Sequence, residues 1–307
     1  MKDFESAYAV AHIKTLENRM LTRADIDAMI SAKDAREVRK ALAERGFGEG
    51  STAEILKGEL SRAWSAAYEV CPDDAPIDLL LYENDFHNLK TALKAHVASV
   101  SCENMLLSPS VIPAEELLAA VKGGDFSALP DFIRDVAAEA YTLLTSTMDG
   151  QLCEIFIDKA YFEKANARAR QTGDEFLIGY FELLQTLADL KTAWRCALSQ
   201  KSRSFRENAL GTPHEELTAG TAQIAEYIRR LFPDADTSSI GAFERWCDNR
   251  RLAYVRTAKA KFFGFAPIAA FLIGKSFEIQ ALRIILACKE NGLGDTVIRE
   301  RLRDLYV

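Results

Sequence analysis

No stretch of this sequence is long and apolar enough to cross a bilayer. The longest apolar run, Phe262 to Ile273, is interrupted by Gly264 and Pro267 and falls well short of the ~20 residues that a spanning helix needs. The opening Met1-Lys2-Asp3-Phe4-Glu5 lacks the basic segment and apolar run of a signal peptide or anchor, so a cytosolic location is expected. Paired cysteines are missing as well. Cys71, Cys102, Cys153, Cys196, Cys247 and Cys288 stand singly, without the spacing that builds zinc sites or redox motifs, and read as reduced core residues. His12, His87, His96 and His214 show no i, i+4 pairing and no ligand partner at motif spacing, so no metal is expected.

Positive charge is in deficit too. A formal net charge of −7 opposes a broad grip on nucleic acid, which needs a basic surface to displace counterions from phosphates. Catalytic signatures are absent: there is no Gly-x-Ser-x-Gly elbow, no Cys-His signature and no isolated carboxylate pair in an apolar run. Gly46-Phe47-Gly48-Glu49-Gly50 imitates a phosphate loop, yet it follows a helix rather than a strand and lacks the Gly-Lys-Ser/Thr ending. It reads as a helix stop, and neither catalysis nor a cofactor is expected.

What is present is helix. Apolar residues recur at three- and four-residue spacing nearly everywhere, and strand-like alternation is hard to find, so the fold class is all-α. Leu21, Thr22, Asp25 and Ile26 supply a capping box and a hydrophobic staple. A second helix from about Asp34 to Arg45 ends at Gly46, completing a hairpin. Turn chemistry marks loops at Cys71-Pro72-Asp73-Asp74, Ser108-Pro109-Ser110, Gly123-Gly124, Gly211-Thr212-Pro213 and Pro233-Asp234-Ala235-Asp236, and helices fill the intervals. Pro113 and Pro267 fit the first turn of a helix, where a missing N–H costs nothing.

A length of 307 residues exceeds one ordinary core, so two or three domains are expected. An internal repeat chooses three. Asn88-Leu89-Lys90-Thr91-Ala92-Leu93-Lys94-Ala95 is echoed by Asp189-Leu190-Lys191-Thr192-Ala193-Trp194-Arg195-Cys196 and by Ala281-Leu282-Arg283-Ile284-Ile285-Leu286-Ala287-Cys288, at a spacing of roughly 100 residues. Asp85 and Glu278 precede the first and third copies at equivalent places, and Ala75-Pro76-Ile77 recurs as Ala266-Pro267-Ile268; the middle copy lacks both features. The expected organisation is therefore three similar helical bundles, at 1–110, 111–205 and 206–307, closing into a pseudo-threefold funnel. In each copy the leucine is expected in the core, with the following Lys90, Lys191 or Arg283 turned to a groove or solvent. Arg250, Arg251, Arg256, Lys259 and Lys261, running into Phe262-Phe263, form a local basic stretch. It reads as a solvated helix face or as a contact for acidic loops or lipid headgroups.

Several segments in order resemble the C-subunit family of V-type (A/V-type) ATPases, which includes the eukaryotic d subunit. Tyr8-Ala9-Val10-Ala11-His12-Ile13-Lys14, Leu21 to Ile26 and Ala41 to Gly48 are similar to its opening. Asp85-Phe86-His87-Asn88-Leu89-Lys90 resembles its Asp-x-x-Asn-Leu-Lys signature, and Glu278 to Leu286 and Lys289 to Tyr306 resemble its closing segments. Ala281 stands in place of the first copy's asparagine and Ser276 in place of an acidic residue, so weaker polar contacts are expected in the third repeat. The resemblance implies a non-catalytic, funnel-shaped subunit, peripheral on the cytoplasmic face of the membrane. Its implied partners are the membrane rotor ring and central-stalk subunits of D and F type, with ion transport as the work of the whole assembly. Two other readings have motives of their own. The capped helices between Leu21 and Gly46 imitate a helix-turn-helix, which the acidic balance opposes. A helical enzyme would be supported by a deep pocket with convergent polar groups.

Overall fold

The computed structural model describes residues 3–212 and 214–307, with only the backbone for residues 3–6; Met1, Lys2 and Pro213 of the segments read above lie outside the described residues. Among the described residues there are fourteen α-helices and no strand. They are α1 (Asp3–Glu17), α2 (Arg23–Ser31), α3 (Ala35–Glu44), α4 (Thr52–Val70), α5 (Tyr82–Ala98), α6 (Ala114–Gly123) and α7 (Arg134–Thr147). Next come α8 (Gly150–Thr172), α9 (Glu175–Leu198), α10 (Arg203–Ala209), α11 (Thr221–Leu231), α12 (Ile240–Arg256), α13 (Ala266–Glu290) and α14 (Asp295–Arg301).

The helix ends follow from local chemistry. Thr22 Oγ1 accepts the Asp25 N–H, while the Asp25 carboxylate accepts the Thr22 N–H at 2.8 Å. This reciprocal cap satisfies two otherwise orphaned donors. Leu21 and Ile26 beside it are both buried. Asp34 caps α3 through the Arg36 and Glu37 amides, and Gly46 leaves that helix with φ +85°, a conformation a side chain would oppose. A second capping box, Ser51 with Glu54, starts α4. Pro267 occupies the first turn of α13, whereas Pro113 sits one place earlier than expected, as the N-cap of α6.

The packing divides the chain into two compact units. One joins the chain up to Ile77 with Glu244–Val307, and its centre is α13. Its first half, Ala266 to Gly274, is apolar and buried all round, and Leu282, Ile285 and Leu286 further on are fully buried with Ile268, Ala269 and Ala270, as a helix enclosed by others must be. Helices α1, α3, α4 and α14 pack against it. Ile26, Ile30, Val38 and Leu42 belong to the same core cluster as Leu282 and Ile285.

The other unit, Asp78–Phe243, is built on α5, α8 and α9, with α8 packed against both of the others. Helices α6 and α7 join α5, while α10 and α11 join α9. Leu89 and Leu190 lie in its core. Phe86 meets Tyr161 at 5.6 Å, and Tyr82 stacks on Phe132 at 4.0 Å. The leucine of each repeat is thus buried, as its helical register required. Cys102, Cys153, Cys247 and Cys288 are buried thiols; Cys71 and Cys196 are only half-buried.

Candidate functional site

A carboxylate placed in a core must be given hydrogen-bond donors, because burial strips its water. The three long repeat helices solve this in one way. Asp85 of α5, wholly buried, accepts the Ile112 N–H at 2.9 Å and the Val111 N–H at 3.1 Å. Asp189 of α9 accepts the Gly211 N–H at 2.7 Å and the Thr212 N–H at 3.0 Å. Glu278 of α13 accepts the Leu21 N–H at 2.6 Å. In each case a helix holds an irregular segment by its backbone amides, so that the segment's own donors are satisfied together with the acid. Gly211 suits this close approach: a Cβ there would stand 2.9 Å from Gln185 Nε2 and 3.3 Å from Asp189 Oδ1.

The middle helix carries no acid at the place of Asp85 and Glu278. It uses Asp189, one turn further on in the register of Asn88. Asn88 itself grips Leu107 twice, donating to its carbonyl at 3.0 Å and accepting its N–H at 2.7 Å. Burial pushes the Asp85 carboxyl up to about 6, against the pull of its two amide donors and with further help from the charge of Asp78. Burial also raises Asp189 and Glu278; nearby Lys159 opposes it at the first, Lys275 at the second.

The third repeat was expected to have weak polar contacts, and it does not. Lys275, which sequence reasoning missed, is buried and donates to Glu278 at 2.6 Å and to Glu59 at 3.0 Å. The signal was there to read: a Lys and a Glu three apart inside an apolar run share one helix face and must pair to be buried. Ser276 turns back onto the Leu272 carbonyl, while Arg283 is exposed.

The basic stretch is largely occupied with its own chain. Arg256 donates to the Leu305 carbonyl, and Lys259 donates to the Tyr306 carbonyl at 3.3 Å while lying 5.0 Å from the Tyr306 ring centre. Arg251 lies over the Phe277 ring at 5.6 Å. Arg303 with Asp248, and the Asp304 N–H with Asn249, extend this anchorage of the closing segment. Tyr306 is buried and donates to Glu17 at 2.7 Å, and burial with that carboxylate raises its phenol. Arg250 and Lys261 are exposed, and so are Phe262 and Phe263 beyond them.

Lys90 and Lys191, equivalent in two repeats, line one cleft of about 380 Å³ between α5, α8 and α9 together with Asp189. His87, Asp158, Lys159 and Arg195 also line it, together with Phe86, Tyr161 and Phe162. Two of its carboxylates are already engaged: Lys90 pairs with Asp158 at 2.5 Å, and Asp189 is held by its two amides.

Comparison with known proteins agrees over nearly the whole chain. A family model described as ATP synthase (C/AC39) subunit matches residues 9–301. The C subunit of the V-type sodium ATPase of Enterococcus hirae is 21% identical over 284 residues, covering 85% of this chain and 84% of that protein. The C subunit of the A-type ATP synthase of Methanocaldococcus jannaschii is 23% identical over an alignment of 353 positions, covering 97% of this chain and 86% of its own length.

Proposed function

The chain belongs to the ATP synthase (C/AC39) subunit family, and from that membership we propose that it is the non-catalytic coupling subunit of a V-type rotary ATPase, joining the membrane rotor ring to the central stalk. The observation that carries the reading is the family match across residues 9–301, together with two full-length relatives that are named as the C subunits of such machines. The partners are the rotor ring and the D- and F-type stalk subunits, met on the cytoplasmic face of the membrane. Among the described residues, no helix is long and apolar enough to cross a membrane, which fits a peripheral seat.

The mechanism is mechanical. Three bundles, 1–110, 111–205 and 206–307, form a pseudo-threefold funnel that grips the stalk. Support comes from α5, α9 and α13, each of which buries a repeat leucine and a carboxylate bound to backbone amides of a separate segment. Dense interiors yield little under load, so torque applied at one face reaches the other with small loss. Buried carboxylate-to-amide bonds at the junctions resist slippage where irregular chain would otherwise give way. Arg250 and Lys261, both exposed, the latter directly before the exposed Phe262 and Phe263, are the members of the basic stretch offered for a partner contact.

The test is affinity purification of the tagged full-length chain from its own cells. Stalk and ring subunits are expected in the eluate. Repeated retrieval of neither would overturn the role.

A further inference from the structure

Phe262 and Phe263, in the loop that leads into α13, stand 69% and 60% exposed. The same loop buries an equal ring close by: Phe265, just beyond Gly264, lies in the core. Two adjacent rings held in water mark a surface that something covers, because apolar area left exposed forgoes the free energy of its burial.

Helix directions bring two tyrosines to the same end of this unit. Glu17, the last residue of α1, accepts from Tyr306, whose ring lies where a Cβ on Gly274 would fall. Leu21 meets Glu278 further along α13, so α1 runs parallel to α13. Lys275 pairs with Glu59, and Ile279 shares a core cluster with Ile55 and Leu56, so α4 runs the opposite way. The start of α1, the end of α4 and the start of α13 therefore lie together. Tyr8 of α1 is 64% exposed and Tyr68 of α4 44%.

Charge at this end is close to balanced. Exposed Lys261 comes directly before the two phenylalanines, and exposed Glu69 directly after Tyr68. Arg256 and Lys259 are engaged by the Leu305 and Tyr306 carbonyls, and Arg250 lies about 9 Å back along α12 from its end. An acidic protein loop would need a basic surplus that these residues do not supply. The interfacial zone of a bilayer asks for something else: phenylalanine and tyrosine rings that project from the surface, with no fixed shape to match.

We propose that this aromatic end rests on a lipid bilayer, with Phe262 and Phe263 inserted among the headgroups and Tyr8 and Tyr68 beside them at the water boundary. The proposal deepens the subunit reading and rests on it for the nearness of a membrane. The grip is apolar, so it does not depend on the charge of the lipid.

The experiment uses the full-length chain and sucrose-loaded vesicles of phosphatidylcholine, pelleted at millimolar lipid, the range that a weak interfacial contact requires. Sedimentation is measured at about 50 and about 500 mM salt, where screening lengths differ. Wild type is expected in the pellet to the same extent at both. Phe262→Ser combined with Phe263→Ser should weaken binding about tenfold or more, while Met148→Ser, at an exposed position of the other unit, should leave it unchanged. Phe262→Trp should bind as wild type does and add an emission component that shifts to the blue when vesicles are supplied. Circular dichroism verifies each fold. Absence of wild type from the pellet, equal sedimentation of the double variant, binding lost at the higher salt, or an unshifted tryptophan would each overturn the proposal. So would a double variant that keeps its vesicle binding yet no longer retrieves ring or stalk subunits, which would give this face to a protein. A chain that fails with vesicles but succeeds in affinity purification sinks the lipid contact and leaves the subunit role standing; the reverse result sinks the role.

Discussion

Replacing Asp85 by Asn should make the stability of this protein less dependent on pH, in a direction the structure specifies. Asp85 is wholly buried, has no cationic partner among the described residues, and receives two backbone N–H bonds at 2.9 and 3.1 Å. Burial prevails over those bonds and lifts the carboxyl from 3.8 to about 6. The folded chain therefore keeps a proton that the unfolded chain releases between these values. For a group raised in this way, its contribution to stability is complete below 3.8 and is lost as pH climbs through about 6. The gap corresponds to about 3 kcal/mol. Asn removes the charged form but offers one acceptor oxygen to two amides, a loss of about 1 kcal/mol. At pH 7.5 Asp85→Asn is thus expected to equal or exceed wild type by about 1 to 2 kcal/mol. Near pH 4.5 the two should be about equal, and below 3.8 wild type should lead. Urea titrations at four pH values, followed by circular dichroism, give the difference directly, and the variant cancels the contributions of Asp189 and Glu278. A wild-type-minus-variant difference that stays constant to within about 0.5 kcal/mol from pH 4.5 to 7.5 would refute the reasoning.

Three further outcomes follow from the packing. Leu89→Ala and Leu282→Ala, both at fully buried positions, should each cost about 2 to 5 kcal/mol in chemical denaturation; a loss under about 0.5 kcal/mol would mean that the repeat was misaligned. Lys275→Met leaves Glu278 without its cation and Glu59 with Arg62 alone and should cost about 3 to 5 kcal/mol at pH 7.5. That loss should shrink as pH falls, because burial raises the Glu278 carboxyl and so favours its protonated form, and a loss that stayed the same as pH fell would contradict it. Gly274→Ala would put a Cβ 2.4 Å from the Tyr306 ring, and a melting shift equivalent to about 1 to 3 kcal/mol is expected. Tyr306→Leu should recover part of it in a double-mutant cycle, and strict additivity would show that the clash is not the cause.

Local structure was legible because its causes are local. Thr22 with Asp25, Asp34, and Gly46 each state where a helix begins or ends, and the structure places α2 and α3 accordingly. Leu89, Leu190 and Leu282 were read as core from the register of their helices, and all three are buried. What escaped was pairing across distance. The Leu21 amide meets Glu278 across 257 positions and Tyr306 meets Glu17 across 289, and nothing in a short window encodes such a partner. The basic stretch shows the same difficulty from the other side. Arg256 and Lys259 read as a solvated helix face or as contacts for acidic loops or lipid headgroups, and in the fold they bind the carbonyls of Leu305 and Tyr306. Every residue has a carbonyl, so a count of charges is blind to that use. Asp189 was seen as a repeat position, but its carboxylate role was missed because the middle helix moved the acid by one turn while keeping its task.

The unit formed from both chain ends has a consequence for synthesis. Ile26, Ile30, Val38 and Leu42 leave the ribosome long before Leu282 and Ile285, with which they share one core. At roughly 5 to 20 residues per second, the interval of 257 positions between Leu21 and Glu278 leaves α2 and α3 waiting about 10 to 50 seconds with their apolar faces uncovered. A newborn chain of this kind needs shelter during translation, and strains poor in ribosome-bound chaperones should accumulate it in aggregates even though the finished protein is well packed.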